Sequence, residues 1–367
     1  MSQCPTLLLL TPHLRGGGAA RITRHLAGGL STRGFSVHLA CITGPPPTPA
    51  TLPPAVSVHA LGASRVRAAT LPLLRLVRQL KPDAILSNMV HLNMLVLLMR
   101  PLFPACSRVL VRHNGVMAAT VGAYGPIARA LFRQLHSRAD GILCQSEAMA
   151  LEFSAELGAR GRLHVLPNPI DVQEIRASAA GPSQWTGPGP HLLAIGRLAP
   201  EKGFDLLLDA FLRVRAQFPH ADLAIVGTGP EAGALQRLAA KLGLEPHVRF
   251  AGQVEDSAAW FPGATLFVLP SRHDAMPNAL LEAAAAGLPL VATPAPGAVP
   301  ALLRHRPGAW VAARIDPPAL ADALTAALNN VRAGLRSPHP WIEAFDAPGV
   351  FLQYDAVIRG CMRSFNS

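Results

Sequence analysis

Short apolar runs recur along the chain, separated by stretches in which apolar residues return at helical spacing. This pattern predicts strands over residues 6–11, 36–42, 84–87, 108–112, 141–145 and 163–166. Helices are expected between them, over 18–33, 71–80, 91–99, 127–137 and 147–157. Residues 176–190 break the rhythm: rich in Pro, Gly and Ser and poor in aliphatic side chains, they predict a linker. The alternation then resumes. Strands are expected over 191–195, 221–226, 248–250, 266–269 and 289–293, and helices over 203–217, 231–242, 277–286 and 318–329, with a short helical piece at 258–260. A last helical stretch, 350–365, has no strand after it. Strand and helix in turn imply parallel sheets covered by helices on both faces. The expected architecture is therefore α/β, two doubly wound domains over 1–175 and 191–346, joined by the linker at 176–190 and followed by a tail helix within 347–367. Ligands of such sheets sit outside the carboxyl ends of the strands, which points to the cleft between two such domains.

Composition narrows the class. The 367 residues are half hydrophobic and only 15% charged, with a mean hydropathy of +0.28. Even so, the richest apolar stretch, 84–103, is interrupted by Asn88, His91, Asn93 and Arg100, which is too polar for a membrane span. The first residues read as a strand rather than as a signal peptide. Five scattered cysteines form no CxxC pair, which argues against a disulfide framework or zinc site and suits a reducing cytoplasm. The net charge of +11 is uneven. Residues 1–138 carry 15 basic side chains and a single acid, Asp83, whereas residues 181–367 carry 15 of each sign. The preference for Arg over Lys is general, with lysine only at 81, 202 and 241, but that preference does not remove acids from one half. The first half is built to face something anionic.

Several loops carry candidate chemistry. In AIGRLAPEKGF a strand ends at Gly196, and Arg197 and Lys202 flank the turn into a helix. Two cations beside a helix N-terminus suit a diphosphate, and an ordinary solvated turn has the same outline. Gly227 and Gly229 leave room after the next strand for a ligand to approach backbone, or for a plain tight turn. In SRHDAMPNALLEAAAAG, Asp274 lies in a loop, Pro277 opens a helix, and Glu282 follows on an otherwise uncharged helical face. Two acids there suit the hydroxyls of one extended ligand, or a helix cap and a surface residue. His13–Leu30 brings glycines, among them Gly17 and Gly18, between a strand and a helix, and RHNG places His113 at a strand end. No metal pair of carboxylates, P-loop or nucleophile elbow is present.

Together, GGGAAR, RHNG, LPNPID, GRLAPEKG, VGTGPE and above all SRHDAMPNALLEAAAAGLPLVAT resemble the GT-B glycosyltransferases of family 4, the retaining nucleotide-sugar transferases. The resemblance implies two Rossmann-like domains facing a cleft and a C-terminal helix crossing back onto the first. It implies that Arg197 and Lys202 hold the donor diphosphate, that Asp274 contacts the donor sugar, that Glu282 contacts the ribose, and that His113 lies near the transferred sugar. Gly17 and Gly18 would approach the diphosphate, and Gly196, Gly227, Val254, Met276, Pro277 and Asn278 would line the donor. The chain departs from the family in carrying Asp rather than Glu at 274 and Ala275 in place of Gly. The implied activity is transfer of a hexose or N-acetylhexosamine from a nucleotide diphosphate sugar, UDP-linked, to a lipid-linked or envelope saccharide, with no metal and no cofactor beyond that co-substrate. The basic half then suggests a peripheral position on the anionic inner face of the cytoplasmic membrane. Two alternatives are a GT-B nucleotide-sugar 2-epimerase and a basic nucleic-acid-binding protein. The latter is disfavoured by an aromatic content of 5%.

Overall fold

The computed structural model describes residues 4–14, 17–44, 52–115, 125–158, 162–254, 256–331, 336 and 339–363. The chain divides into two compact units, Met1–Pro169 with Ala347–Ser367, and Ile170–Asp346.

The first unit is a seven-stranded parallel sheet of β1 (Thr6–Thr11), β2 (Ser36–Cys41), β3 (Val56–Ala60), β4 (Ala84–Asn88), β5 (Arg108–Arg112), β6 (Gly141–Cys144) and β7 (Leu163–Val165), in the order β3-β2-β1-β4-β5-β6-β7. Its helices are α1 (Gly17–Ser31), α2 (Thr70–Leu80), α3 (Val90–Met99), α4 (Pro126–His136) and α5 (Glu147–Leu157). Four consecutive leucines, Leu7 to Leu10, suit β1 because a central parallel strand is covered on both faces, and all four are buried. Leu7 and Leu9 point to one side, where they join Leu39, Leu110 and Leu143 under α1.

The second unit is a six-stranded parallel sheet of β8 (His191–Ile195), β9 (Asp222–Val226), β10 (Val248–Gly252), β11 (Leu266–Leu269), β12 (Leu290–Ala292) and β13 (Ala309–Val311), in the order β10-β9-β8-β11-β12-β13. Helices α6 (Val172–Ala179), α7 (Phe204–Gln217), α8 (Ala232–Lys241), α9 (Asn278–Ala285), α10 (Val299–Leu303) and α11 (Pro317–Asn330) cover it. Alternate strand residues serve two cores. Leu192, Ala194, Ile225 and Val268 meet α7, α8 and α11, while Leu193, Val226, Phe267 and Leu269 meet α6, α9 and α10. Helix α12 (Ala347–Arg363) belongs to the first unit, where Val350, Tyr354 and Ile358 complete the core over α1 and Phe351 lies against Gly29.

The structure differs from the sequence expectation at the boundary. The first segment of the first unit ends at Pro169 rather than at 175, and the stretch read as a linker belongs to the second unit, where most of it is exposed. Asp171 caps α6, Val172 and Ile175 enter the core, and Trp185 donates from Nε1 to the Trp260 carbonyl at 3.1 Å. Strands β3 and β13 and helices α6 and α10 were not expected; β3 and β13 are edge strands, β3 interrupted by Ser57 and His59 and β13 only three residues long. The end of the predicted tail helix, 364–365, and Gly16 of the first glycine loop lie outside the described residues. Because Ile358 is fully buried, Ile358→Ala should destabilise the first unit by about 2–5 kcal/mol in urea unfolding. Leu352→Ala on the same helix, at a half-exposed position, should stay within about 0.5 kcal/mol of wild type.

Candidate active site

In the second sheet the strand order reverses at β8, with β9 on one side and β11 on the other. The loops leaving β8 and β11 therefore run out beside each other at the carboxyl edge, where such sheets bind ligands. The β8 loop turns once through Pro200–Lys202 and ends at Gly203, whose φ of +65° is open to glycine at no steric cost. A Cβ at 203 would stand 2.1 Å from the Pro270 carbonyl oxygen, so glycine is also what lets the two loops touch. Across that contact Lys202 Nζ donates to Asp274 Oδ2 at 2.7 Å, and Ser271 Oγ donates to the same oxygen at 3.3 Å. The Asp274 loop is held from its other side by Gly297 (φ +119°), where a Cβ would stand 1.9 Å from the Asp274 carbonyl oxygen. The Asp274 amide donates to the Pro296 carbonyl at 3.1 Å, and the Ala298 amide donates to the Asp274 carbonyl at 3.1 Å.

Arg197 is two-thirds exposed and pairs with Glu201 on the same turn. Behind it Arg272 forks onto both oxygens of Asp205 at 2.7 and 2.6 Å, and the Arg272 amide donates to the Glu201 carbonyl at 2.8 Å, pinning the two loops a second time. The Arg272 guanidinium, through its hydrogen bonds, holds the Asp205 carboxyl below its usual range. Glu282 lies on α9 and is 4% exposed, so it is a buried acid rather than a surface one. Pro277 is the cap before α9 rather than its first residue, Met276 is part of the core, Val254 packs against that core, and Asn278 opens the helix. Gly227 and Gly229 have a use in packing the loops together. A Cβ on either would stand 1.9 or 2.2 Å from the carbonyl oxygens of Gly196 and Leu198, so these glycines let the β9 loop lie flat on the β8 loop.

In the first unit the expected site residue His113 turns inward. It is 1% exposed, with its ring against Phe153 at 4.3 Å between centroids and its Nε2 at 3.1 Å from Nε2 of His136. His136 Nδ1 faces the Phe132 carbonyl at 2.8 Å, and a carbonyl only accepts, so His136 carries its proton on Nδ1. His136 Nε2 is then the acceptor and His113 Nε2–H the donor, both rings neutral. Burial, and then His136 and Arg112, hold the His113 ring well below its ordinary value. What stands at the end of β5 instead is Asn114, half-buried, bonded to Arg112, Asn88 and Gln145. Gly17 and Gly18 open α1. Among the described residues no three His, Cys, Asp or Glu side chains group to hold a metal ion.

Comparison with known proteins places this arrangement. A model of "Glycosyltransferase Family 4" matches residues 16–174, and one of "Glycosyl transferases group 1" matches 189–330. HepE of Anabaena, solved with UDP-glucose, superposes with a TM-score of 0.72 at 16% identity over 98% of this chain and 99% of its own. Sucrose-phosphate synthase of Thermosynechococcus elongatus gives 0.72 at 16% identity over 99% and 97%. The chain has the GT-B fold, and each of its halves matches a glycosyltransferase model. Among curated relatives, the chain is 29% identical over 225 residues to the GDP-mannose-dependent alpha-(1-6)-phosphatidylinositol monomannoside mannosyltransferase of Mycolicibacterium smegmatis, covering 58% of each. It is 29% identical over 195 residues to the lipopolysaccharide core biosynthesis glycosyltransferase LpsE of Rhizobium meliloti, covering 53% of this chain and 54% of that one. The chain thus spans little more than half the length of the curated relatives it matches.

Of the residues expected to act, the fold brings Lys202 and Asp274 into contact, keeps Arg197 one turn away, buries Glu282 nearby in sequence, and withdraws His113. Sequence reasoning passed over Glu201, Asp205, Arg272 and Gly297, whose partners become visible only when the loops meet. It placed Asn114 beside His113 at the strand end without a role, and it passed over Asn88 and Asn168 around Arg112, for which LPNPID was part of the available signal. The neutral histidine pair has a consequence for pH. Burial lowers His136 from 6.5 to about 4, so the unfolded chain binds the proton more readily than the folded one between those values. Stability should be complete above pH ~6.5 and fall by about 2–4 kcal/mol as the pH drops to ~4. Urea unfolding across that range should show the slope in wild type and a flatter one in His136→Phe.

Proposed function

We propose that the chain is a retaining, metal-independent hexosyltransferase moving a hexose or N-acetylhexosamine from a UDP-linked sugar to a lipid-linked or envelope saccharide. The observation that carries this reading is the 2.7 Å pair of Lys202 and Asp274 at the reversal point of the second sheet. A diphosphate and the sugar it carries are adjacent parts of one donor, and they require a cation and a hydroxyl-binding carboxylate side by side. When the bond from the anomeric carbon to the diphosphate oxygen breaks, its electron pair stays on the diphosphate. Lys202, already fixed by Asp274, and Arg197, exposed on the same loop, meet that charge. Glu282 is the residue for the ribose, and Gly17 and Gly18 offer backbone N–H groups at the start of α1. The nucleotide sugar is a co-substrate, so the reading calls for no separate cofactor.

The acceptor class is supported by relatives named for phosphatidylinositol mannosides and for lipopolysaccharide core biosynthesis. The HepE complexes support UDP, whereas the mannosyltransferase names GDP-mannose, so both nucleotides belong in the test. UDP and UDP-sugars should raise the melting temperature, and GDP and GDP-mannose should not. Lys202→Ala should lower kcat/KM by roughly 10²–10³-fold with the fold intact. Binding of GDP-mannose alone would move the donor to a mannosyl nucleotide. Unchanged turnover in Lys202→Ala would remove the diphosphate assignment, and conversion of the donor to an epimer without acceptor would indicate an epimerase.

The acceptor also suggests where the enzyme works. No helix among the described residues is long and apolar enough to cross a membrane. Neighbouring helices α2, α3, α4 and α5 nevertheless turn large apolar side chains outward: Leu71, Leu98, Ile127, Leu131 and Leu151. Arg75 and Arg78 are exposed beside them on α2, and on α4 Arg129 and Arg133 share one acid, Glu156. A basic surface studded with leucines suits the anionic inner face of the cytoplasmic membrane. The protein should sediment with phosphatidylglycerol vesicles at low salt and release as salt rises. Arg75→Glu with Arg78→Glu should lose sedimentation and keep UDP binding; equal partitioning onto neutral vesicles would contradict an anionic surface as the partner.

A further inference from the structure

Among the described residues Arg112 is the largest side chain to be fully buried, at 1% exposure, and its guanidinium meets no carboxylate there. Its partners are neutral. Nε donates to Tyr354 Oη at 3.0 Å, Nη1 to Asn88 Oδ1 at 3.3 Å and to Asn114 Oδ1, and Nη2 to Asn168 Oδ1. These groups come from the end of β4, the end of β5, the loop after β7 and helix α12. A buried ion without a counter-charge is costly, and neutral side chains can tie loops together at less expense. A guanidinium has one property that they lack: it only donates. Every amide that faces it must turn its oxygen inward and its nitrogen away. Asn88 accordingly donates from Nδ2 to Thr23 Oγ1 of α1 at 2.8 Å, and Asn114 from Nδ2 to Asn88 Oδ1 at 2.6 Å. Asn88 and Asn168 are almost completely buried, whereas Asn114 is only half-buried. Its NH2 carries two hydrogens, and the Asn88 bond takes one.

We infer that Arg112 is a positioning residue whose donor-only chemistry holds the Asn114 oxygen and leaves its nitrogen to donate, and that Asn114 gives its second amide hydrogen to a hydroxyl oxygen of the substrate sugar. The inference rests on the transfer reaction proposed above. It moves the sugar contact expected of His113 to the neighbouring residue, because His113 is spent on the buried ring cluster. The pair acts as a unit: without the cation only Gln145 and Asn88 are left to hold the Asn114 amide.

Asn114→Asp tests it. The change keeps an oxygen toward Arg112, supplies the counter-charge that the buried cation lacks, and removes the amide donor. The readout is UDP release from the UDP-sugar selected by the thermal-shift screen, with water as acceptor. Asn114→Asp should lower kcat/KM at least tenfold, leave the affinity for UDP itself within twofold, and melt no lower than wild type. Arg112→Met should show a similar fall in rate with a lower melting temperature, and the double variant should be no slower than Arg112→Met alone, since the two act through one hydrogen bond. A wild-type rate in Asn114→Asp overturns the inference. So does a fall in rate matched by a melting temperature as low as that of Arg112→Met, because the role is then structural. A wild-type protein that binds no UDP and turns over no UDP-sugar fails at the earlier step, and the proposed function and this inference fall together.

Discussion

A parallel sheet whose first strand lies inside it must send its crossovers in opposite directions from that strand, and this constraint organises both halves of the molecule. In the first unit β1 has β2 on one side and β4 on the other; in the second, β8 has β9 and β11. Right-handed crossovers then place the helices on opposite faces, and the two loops at the reversal have no helix packed between them. The chemistry of the chain gathers at these points. Gly17 and Gly18 follow β1 and Asn88 ends β4, while Arg197 and Lys202 follow β8 and Asp274 follows β11.

The two edges handle charge in opposite ways. On the β8 and β11 loops of the second unit each cation has a carboxylate: Arg197 has Glu201, Lys202 has Asp274, and Arg272 has Asp205. Those pairs are partly exposed and contribute little to stability, so their worth lies in holding charged atoms at fixed places. In the first unit Arg112 is buried and answered only by amide and phenol oxygens. Its charge orients dipoles rather than cancelling an opposite charge. The residues of 1–138, with one acid among them, do not supply it with a counter-ion, so the compositional asymmetry reaches into the core as well as across the surface.

The close contacts between loops explain why glycine recurs at the second edge. Gly203 and Gly297 grip the Asp274 loop from either side, and Gly227 lies against Gly196. A methyl group at any of these positions meets a backbone oxygen, which cannot move aside as a flexible side chain would. The Lys202–Asp274 geometry is therefore set by backbone packing, and the side chains arrive in register because their loops have no room to shift.

The sequence by itself determined the alternation of strand and helix, the two parallel sheets, and the loops that carry the cations and acids. Those features come from periodicities within a few residues: continuous apolar strands such as Leu7 to Leu10, glycines at strand ends, and the dense polar loop around Asp274. It did not reveal edge strand β3, broken by Ser57 and His59, or edge strand β13, three residues long, nor that the Pro- and Gly-rich stretch after α6 packs through Trp185. Only the tertiary structure decided which partner each polar group meets. Lys202 reaches an acid 72 positions away, Arg112 a phenol 242 away, and His113 is drawn inward by His136 on a helix that no local signal ties to β5. Hydrogen bonds and ion pairs act over about 3 Å in space whatever the separation along the chain, so their partners follow from sheet order and loop contact rather than from spacing.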